Sequence, residues 1–516
     1  MRLTSLHATR VVRAAALCAA ALAVLVLAGS AAAQAAAEWP QFQGDPAHAG
    51  AVVGGPAPGY GQAWSFAFPL GGKDGNSGLS PPVITGDLAI AVGPDRVVAV
   101  DVTTGAEAWH VDKGDGPPVP PALVRVDGRD ALLFTEGLAT TSAGGTPSAS
   151  PTVTPQPTTA APSATPTVAS EPQSASRLVA LDLRSRDELW SATLPGVSRS
   201  GVTVDGDRAF VGDATGTVTA IDVTTGTALW GVDAGGRIES PLAAADGKVI
   251  ATPIGDSQTG LAIVALQGSD GAQAWRAEPK SAAAAAGPVT VGGGLAFAAL
   301  ADQTVRAFDL DDGAERWSAR LNAPVNIVSG PAYVDDGLIV ADLFGQVYRL
   351  DPATGSRDWD QALNVGVYRS PPLILGDQVL VPAVDGQVFA IELSTGDVIW
   401  LSDQGAGPIR DLVPAGDVLV GVRGGDEAGL FALEHDPAAP LVRIVTPTKL
   451  NVGRLLGWFA AAAVPIVVLG LASGRFLAAR VGPAPALAVR EPDDDEPDDE
   501  GPDDDGGPDD DEGDGA

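Results

Sequence analysis

One short pattern recurs along this chain: an apolar strand, an acidic residue, a turn with glycine, then tryptophan. Its clearest copies are Val97-Val-Ala-Val-Asp-Val-Thr-Thr-Gly-Ala-Glu-Ala-Trp109 and Val218-Thr-Ala-Ile-Asp-Val-Thr-Thr-Gly-Thr-Ala-Leu-Trp230. The tryptophans fall at Trp64, Trp109, Trp190, Trp230, Trp275, Trp317, Trp359 and Trp400, with gaps of 45, 81, 40, 45, 42, 42 and 41 residues. A period of about 42 residues carrying strands of period two predicts a β-propeller with one repeat per blade. The fold class is therefore all-β, an eight-bladed propeller with four-stranded blades, spanning 38–446. The fold alone names no substrate, because propellers host unrelated functions.

The two ends of the repeat complement each other. An apolar strand precedes each of the last seven tryptophans, at 97–100, 178–181, 218–221, 263–266, 305–308, 347–350 and 388–391. Trp64 has no such strand before it, and the strand at 430–433 has no tryptophan after it. The segment around Trp64 is expected to supply the outer strand of the last blade, whose inner three strands come from about 411–433. Closure of this kind removes a sheet edge. The alternative is an outer strand at 441–445. Gly105, Gly226, Gly271, Gly313, Gly355 and Gly396 stand where a tight turn needs positive φ, and Asp101, Asp182, Asp222, Asp309 and Asp351 can cap the turn's N–H groups. Each blade tryptophan is expected to pack on the next blade while its N–H finds a carbonyl. Trp39 stands outside the slots, so its loss should be well tolerated.

The pattern Ala-x-Asp-x-x-Thr-Gly-x-x-x-Trp resembles the repeat of pyrroloquinoline-quinone-like eight-bladed propellers. That family includes quinoprotein alcohol dehydrogenases and a non-enzymatic outer-membrane assembly lipoprotein. The opening Trp39-Pro-Gln-Phe-Gln-Gly-Asp-Pro-Ala-His48-Ala-Gly is similar to the family's lead-in. The resemblance implies the fold over about 38–446 and leaves function open, since both kinds of member carry the repeat.

Three segments lie outside the repeat. Residues 1–37 carry Arg2, Arg10 and Arg13, an apolar run and then small residues, which predicts a secretory signal. The sole cysteine, Cys18, lies inside it, so the chain beyond has no disulfide and no thiol chemistry. Residues 141–176, rich in Pro, Ser and Thr, are expected to be a disordered insertion between the second and third strands of one blade, beside the funnel mouth. Residues 455–474 are uncharged and long enough to span a bilayer. The acidic tract that follows, within 475–516, holds 16 of the 64 acidic residues and cannot bury a core. The expected localisation is thus a single-pass cell-membrane protein with the propeller outside and the tail in the cytoplasm. The net charge of −33 argues against a nucleic-acid partner.

The resemblance implies, for the enzymes, a quinone held by adjacent cysteines, a tryptophan floor and a calcium. No cysteine lies beyond residue 37, and eight of the ten tryptophans are assigned to slots. No cofactor, metal or catalytic residue is assigned. His48, His110 and His435 lack ligand spacing, and Asp309-Leu-Asp-Asp-Gly313 lacks the glutamate of a calcium loop. The candidate binding surface is the funnel mouth, where the segments leading into the blades carry Arg199, Glu239, Asn326, Tyr368, Arg369 and Arg410. Convergent polar groups there can bind an extracytoplasmic protein, a peptide, a glycan or a small anion. The expected function is a non-enzymatic binding scaffold, with a quinone-dependent dehydrogenase or a chaperone-like factor in envelope protein assembly as alternatives.

Overall fold

The computed structural model describes residues 38–68, 78–138, 175–255, 260–279, 287–321, 329–367, 370–402 and 407–439. Eight sheets lie in chain order, at 83–112, 122–194, 198–233, 243–277, 290–320, 332–362, 373–401 and 409–435, the last completed by Tyr60–Ala67. Each is an antiparallel meander of four strands; the innermost strands of blades one to seven touch in succession, and that of blade eight touches the innermost strand of blade one and the second strand of blade seven. The central strands form from near-continuous runs of Val, Ile, Leu, Phe and Ala, such as Val97–Val100, buried on both faces of the sheet.

The ring closes as the half-repeats require. Tyr60–Ala67 pairs antiparallel with Gly429–His435, placing Gln62 against Leu433 and Phe66 against Leu430. The N-terminal segment therefore holds the outer position of blade eight. The rival strand at 441–445 lies outside the described residues, as do 1–37, 455–474 and 475–516. Ser176, the last residue of the expected insertion, opens the third strand of blade two, and the backbone N–H of Leu138 donates to the Ala175 carbonyl at 3.0 Å. The two ends of the insertion are thus adjacent.

The slots follow one rule with two exceptions. Trp64, Trp190, Trp230, Trp275, Trp317 and Trp359 each donate Nε1–H to a carbonyl of the next blade, at 2.8–3.1 Å. The indoles of Trp64, Trp190, Trp230, Trp275 and Trp317 lie against the turn glycine of that blade: a Cβ on Gly226 would stand 2.6 Å from the Trp190 ring, and one on Gly355 2.5 Å from Trp317. Glycine is required there twice over, for its φ of +71° at Gly226 and for the ring above it. The first exception is Arg186, which replaces the glycine at φ +67° and holds its guanidinium 4.8 Å from the Trp109 ring centroid. The second is Trp400. Its neighbour, blade eight, has no covalent turn at that corner, and Tyr60 packs edge-on against the indole at 5.0 Å. Trp64, Trp275, Trp359 and Trp400 are buried, whereas Trp109, Trp190, Trp230 and Trp317 are half-buried.

The seventh sheet has a fifth strand, Ala51–Val52, which pairs in parallel with Ile374 and Leu375. It belongs to the lead-in, and the lead-in overturns the expectation for Trp39. That side chain is only 5% exposed, its backbone bridges Ile84 of blade one, and its ring covers Gly44.

Candidate functional site

The channel is bounded by the innermost strands, whose free edges would otherwise leave N–H groups unpaired. The lead-in satisfies them in order around the ring. Ile84 N–H donates to the Trp39 carbonyl (2.9 Å), Leu123 to Pro40 (2.7 Å), Ala244 to Pro46 (2.6 Å), Val291 to Ala47 (2.8 Å), Tyr333 to Ala49 (2.7 Å) and Ile374 to Gly50 (2.9 Å). Blade three is met by a side chain. The Gln41 amide accepts from Val204 N–H at 2.8 Å and donates to its carbonyl at 3.1 Å, copying a strand partner. In every blade but the second, the bonded residue is the last but one of the innermost strand. Blade eight carries Pro414 at that position, with no N–H to satisfy, and the lead-in leaves the ring before reaching it.

The lead-in therefore lies toward the end of the channel formed by the hairpin turns within each blade. Positive φ at Gln43 (52°), Gly44 (87°), His48 (60°) and Gly50 (62°) lets so short a segment turn around the axis. His48 is buried beside Phe42, ring centroids 5.0 Å apart, with Nδ1 3.0 Å from the Val289 carbonyl. Burial holds its pKa down to about 4, so the imidazole is neutral at physiological pH. Gln43 Nε2 donates to the Pro331 carbonyl at 2.9 Å. Sequence reasoning found this segment only as a similarity. Two polar side chains spaced by two, Gln41 and Gln43, between Pro40 and Gly44 were the local signal of an edge-satisfying strap.

The opposite end carries the blade-to-blade crossovers and the residues singled out from sequence. Arg199 is exposed at the start of the innermost strand of blade three. Glu239 is exposed on the crossover into blade four and pairs with Arg237 at 3.0 Å. Arg410 is the second residue of the innermost strand of blade eight, half-buried between Gly78 and Gly424, and its carbonyl accepts from Ser370 Oγ. Asn326, Tyr368 and Arg369 lie outside the described residues. The serines of these segments turn inward. Ser80 Oγ accepts from Val92 N–H and Ser200 Oγ from Gly212 N–H, each at 2.9 Å, and Ser329 Oγ donates to the Ala341 carbonyl at 2.8 Å. They clamp the first strand of a blade to the second. Beside Arg410, burial pushes the Asp411 carboxyl up to about 7, against one N–H from Leu412 at 2.8 Å.

The described residues do not fit a quinone. Every slot tryptophan is packed at a seam, and Trp39 is packed in the lead-in, so none of the nine presents a free ring to the channel. No three His, Cys, Asp or Glu side chains gather to hold a metal ion among the described residues.

Comparison with known proteins adds the family. A profile described as outer membrane protein assembly factor BamB matches residues 174–326 and 301–432. Proteins of that name from Burkholderia pseudomallei and Bordetella pertussis are 25% and 26% identical over 230 and 232 residues, covering 41% and 42% of this chain. The chain spans 58% of the length of each of these relatives. Among solved structures, a quinohemoprotein alcohol dehydrogenase from Comamonas testosteroni matches 80% of this chain and 83% of its own at 13% identity, with a TM-score of 0.57. The BamB structure from Moraxella catarrhalis matches 73% of this chain and 99% of its own at 17% identity, with a TM-score of 0.49. The dehydrogenase likeness shows the fold alone. These findings correct the expected localisation. The relatives are named for outer membrane protein assembly, which does not agree with a single-pass cell-membrane protein bearing a cytoplasmic tail. Among the described residues no helix is long and apolar enough to cross a membrane.

Proposed function

Because the chain belongs to the family described as outer membrane protein assembly factor BamB, we propose that it is a non-enzymatic propeller that binds other envelope proteins during their assembly. The observation that supports this reading is the use of the tryptophans. All eight slot indoles are packed at blade seams and the ninth in the strap, leaving the propeller a rigid platform rather than a cofactor cradle. The crossover face, with Arg199 and Glu239 exposed on it, is the proposed contact surface, and Asn326, Tyr368, Arg369 and Arg410 belong to the same proposal. Partner proteins that are still unfolded offer extended backbone and mixed side chains, which a broad polar rim can hold without a deep pocket.

Photo-crosslinking from position 199 or 239 in native membranes tests this. Adducts with envelope proteins are expected from both sites and not from position 246, on the hairpin-turn end. Equal adducts from all three positions would remove the assignment of the face. Dye-linked alcohol oxidation by the purified chain, gained on adding quinone and calcium, would replace the non-enzymatic reading with the dehydrogenase one.

A further inference from the structure

Blade six carries a cavity that the repeat does not demand. Its third strand runs Gln346–Leu350 and its outer strand Arg357–Ala362. Side chains two apart share a face of a strand. Gln346 and Tyr348 therefore share one row, with Tyr348 opposite Asp360 and Gln346 opposite Ala362, and Phe344 and Asn364 lie just beyond the strand ends. The small Ala362 leaves room between the rows. The result is a depression of about 220 Å³ lined by both rows and by Arg357. At the aligned positions of blade three stand Thr215, Thr217 and Thr219, so the fold works without Phe344, Gln346 and Tyr348.

Three features describe what the depression would hold. Phe344 at its rim is 57% exposed, the one aromatic among the exposed large apolar side chains of the described residues. Tyr348 at its floor is 1% exposed, and its hydroxyl has no hydrogen-bond partner. Between rim and floor, Gln346 Nε2 donates to Asp360 Oδ2 at 3.0 Å, and Arg357 lies 3.5 Å from Asp360 Oδ1. These groups offer donors and acceptors side by side while their charges offset.

We propose that this depression binds a single unit of a neutral sugar, with a C–H face of the ring on Phe344 and its hydroxyls against Gln346, Asp360 and Asn364. A hydroxyl both donates and accepts from one atom, which suits a wall where an amide, a carboxylate and a guanidinium alternate. The Asp342 and Asp360 carboxylates stand close enough to add to burial in raising the Tyr348 phenol above its ordinary range. The same carboxylates disfavour an anion, and Arg357 disfavours a cation. The proposal is independent of the assembly reading, since it concerns one blade and not the crossover face as a whole.

Saturation-transfer NMR on the purified full-length chain tests it, with methyl β-D-glucopyranoside, methyl α-D-mannopyranoside and N-acetyl-D-glucosamine as probes and acetate and lysine as controls. Transfer to the ring C–H protons of at least one sugar is expected, and none to the controls. Phe344→Ala leaves a mostly exposed position, so its melting temperature should hold while the sugar Kd rises at least tenfold. Asp360→Asn keeps the shape and removes the charged acceptor. It should weaken the same sugar several-fold without loss of stability. Absence of transfer from all three sugars at about 10 mM overturns the proposal. So does transfer that neither substitution changes.

Discussion

At the residue scale, the seams show how a repeated sequence reads as a repeated contact. The turn glycine and the tryptophan about four residues on were legible from their recurrence, but the reason for the glycine was only half legible. Its positive φ follows from the turn, whereas the indole of the preceding blade pressing on its α-carbon is a contact between neighbouring repeats. Gly226→Ala should therefore cost more than an ordinary positive-φ substitution, roughly 1–3 kcal/mol from overpacking and strain together. Arg186→Gly, at the seam where arginine has taken the glycine's place, should change stability by under about 1 kcal/mol, because relief of strain offsets the lost ring contact. Urea midpoints compare the two directly. Trp39 marks where reading by recurrence failed. It recurs nowhere, yet it is as buried as a slot residue. Trp39→Ala and Trp275→Ala should each cost roughly 3–5 kcal/mol.

At the scale of elements, the innermost strands carry what the sequence concealed. They are short, three residues in five of the blades, and their pattern says nothing of which edge is covered. Gln41→Ala should leave the Val204 N–H and carbonyl unpaired and cost about 1–3 kcal/mol, measured by the shift of the thermal midpoint. The innermost strand of blade eight also sets a pH dependence. The folded pKa of Asp411 lies above its ordinary 3.8, so the folded state holds the proton more tightly. Stability is then lost as pH rises from about 4 through about 7, by at most about 4 kcal/mol. The turn aspartates act oppositely. The N–H groups of Thr224 and Thr225 hold Asp222 below its ordinary range, so its contribution is present above pH 3.8 and is lost as pH falls below that. Asp411→Asn should raise the urea midpoint at pH 8 and leave it unchanged at pH 4. An equal gain at both values would mean that charge is not the cause. Of the candidate binding residues, Arg199, Glu239 and Arg410 lie on segments leading into the blades, but the serines of such segments are clamps and Glu239 sits in an ion pair.

For the whole molecule, the blade count and the closing strand could be read in advance, because a ring of repeats admits few ways to end. Leu138 and Ala175 meet through a backbone hydrogen bond, so a short turn can join them. Replacing 139–174 with a short turn should shift the melting temperature by no more than a few degrees, since each doubling of a surface loop costs only about 0.6 kcal/mol. Removing 38–56 instead withdraws the strap from seven blades and should abolish a single cooperative melt, as followed by calorimetry.

The strap has a further consequence, for how such a chain can change over generations. Repeat arrays gain and lose copies easily when each unit meets only its neighbours. Here residues 39–50 assign one partner to each of seven blades in succession, and Pro414 marks the blade that needs none. A duplicated repeat would leave a blade whose inner edge has no partner and would carry every later partner out of step. A deletion would leave a strap too long for its ring. The lead-in thus acts as a gauge: the number of blades cannot drift without a matched change in a segment far from the duplication, and eight is held by the dozen residues that come before the first of them.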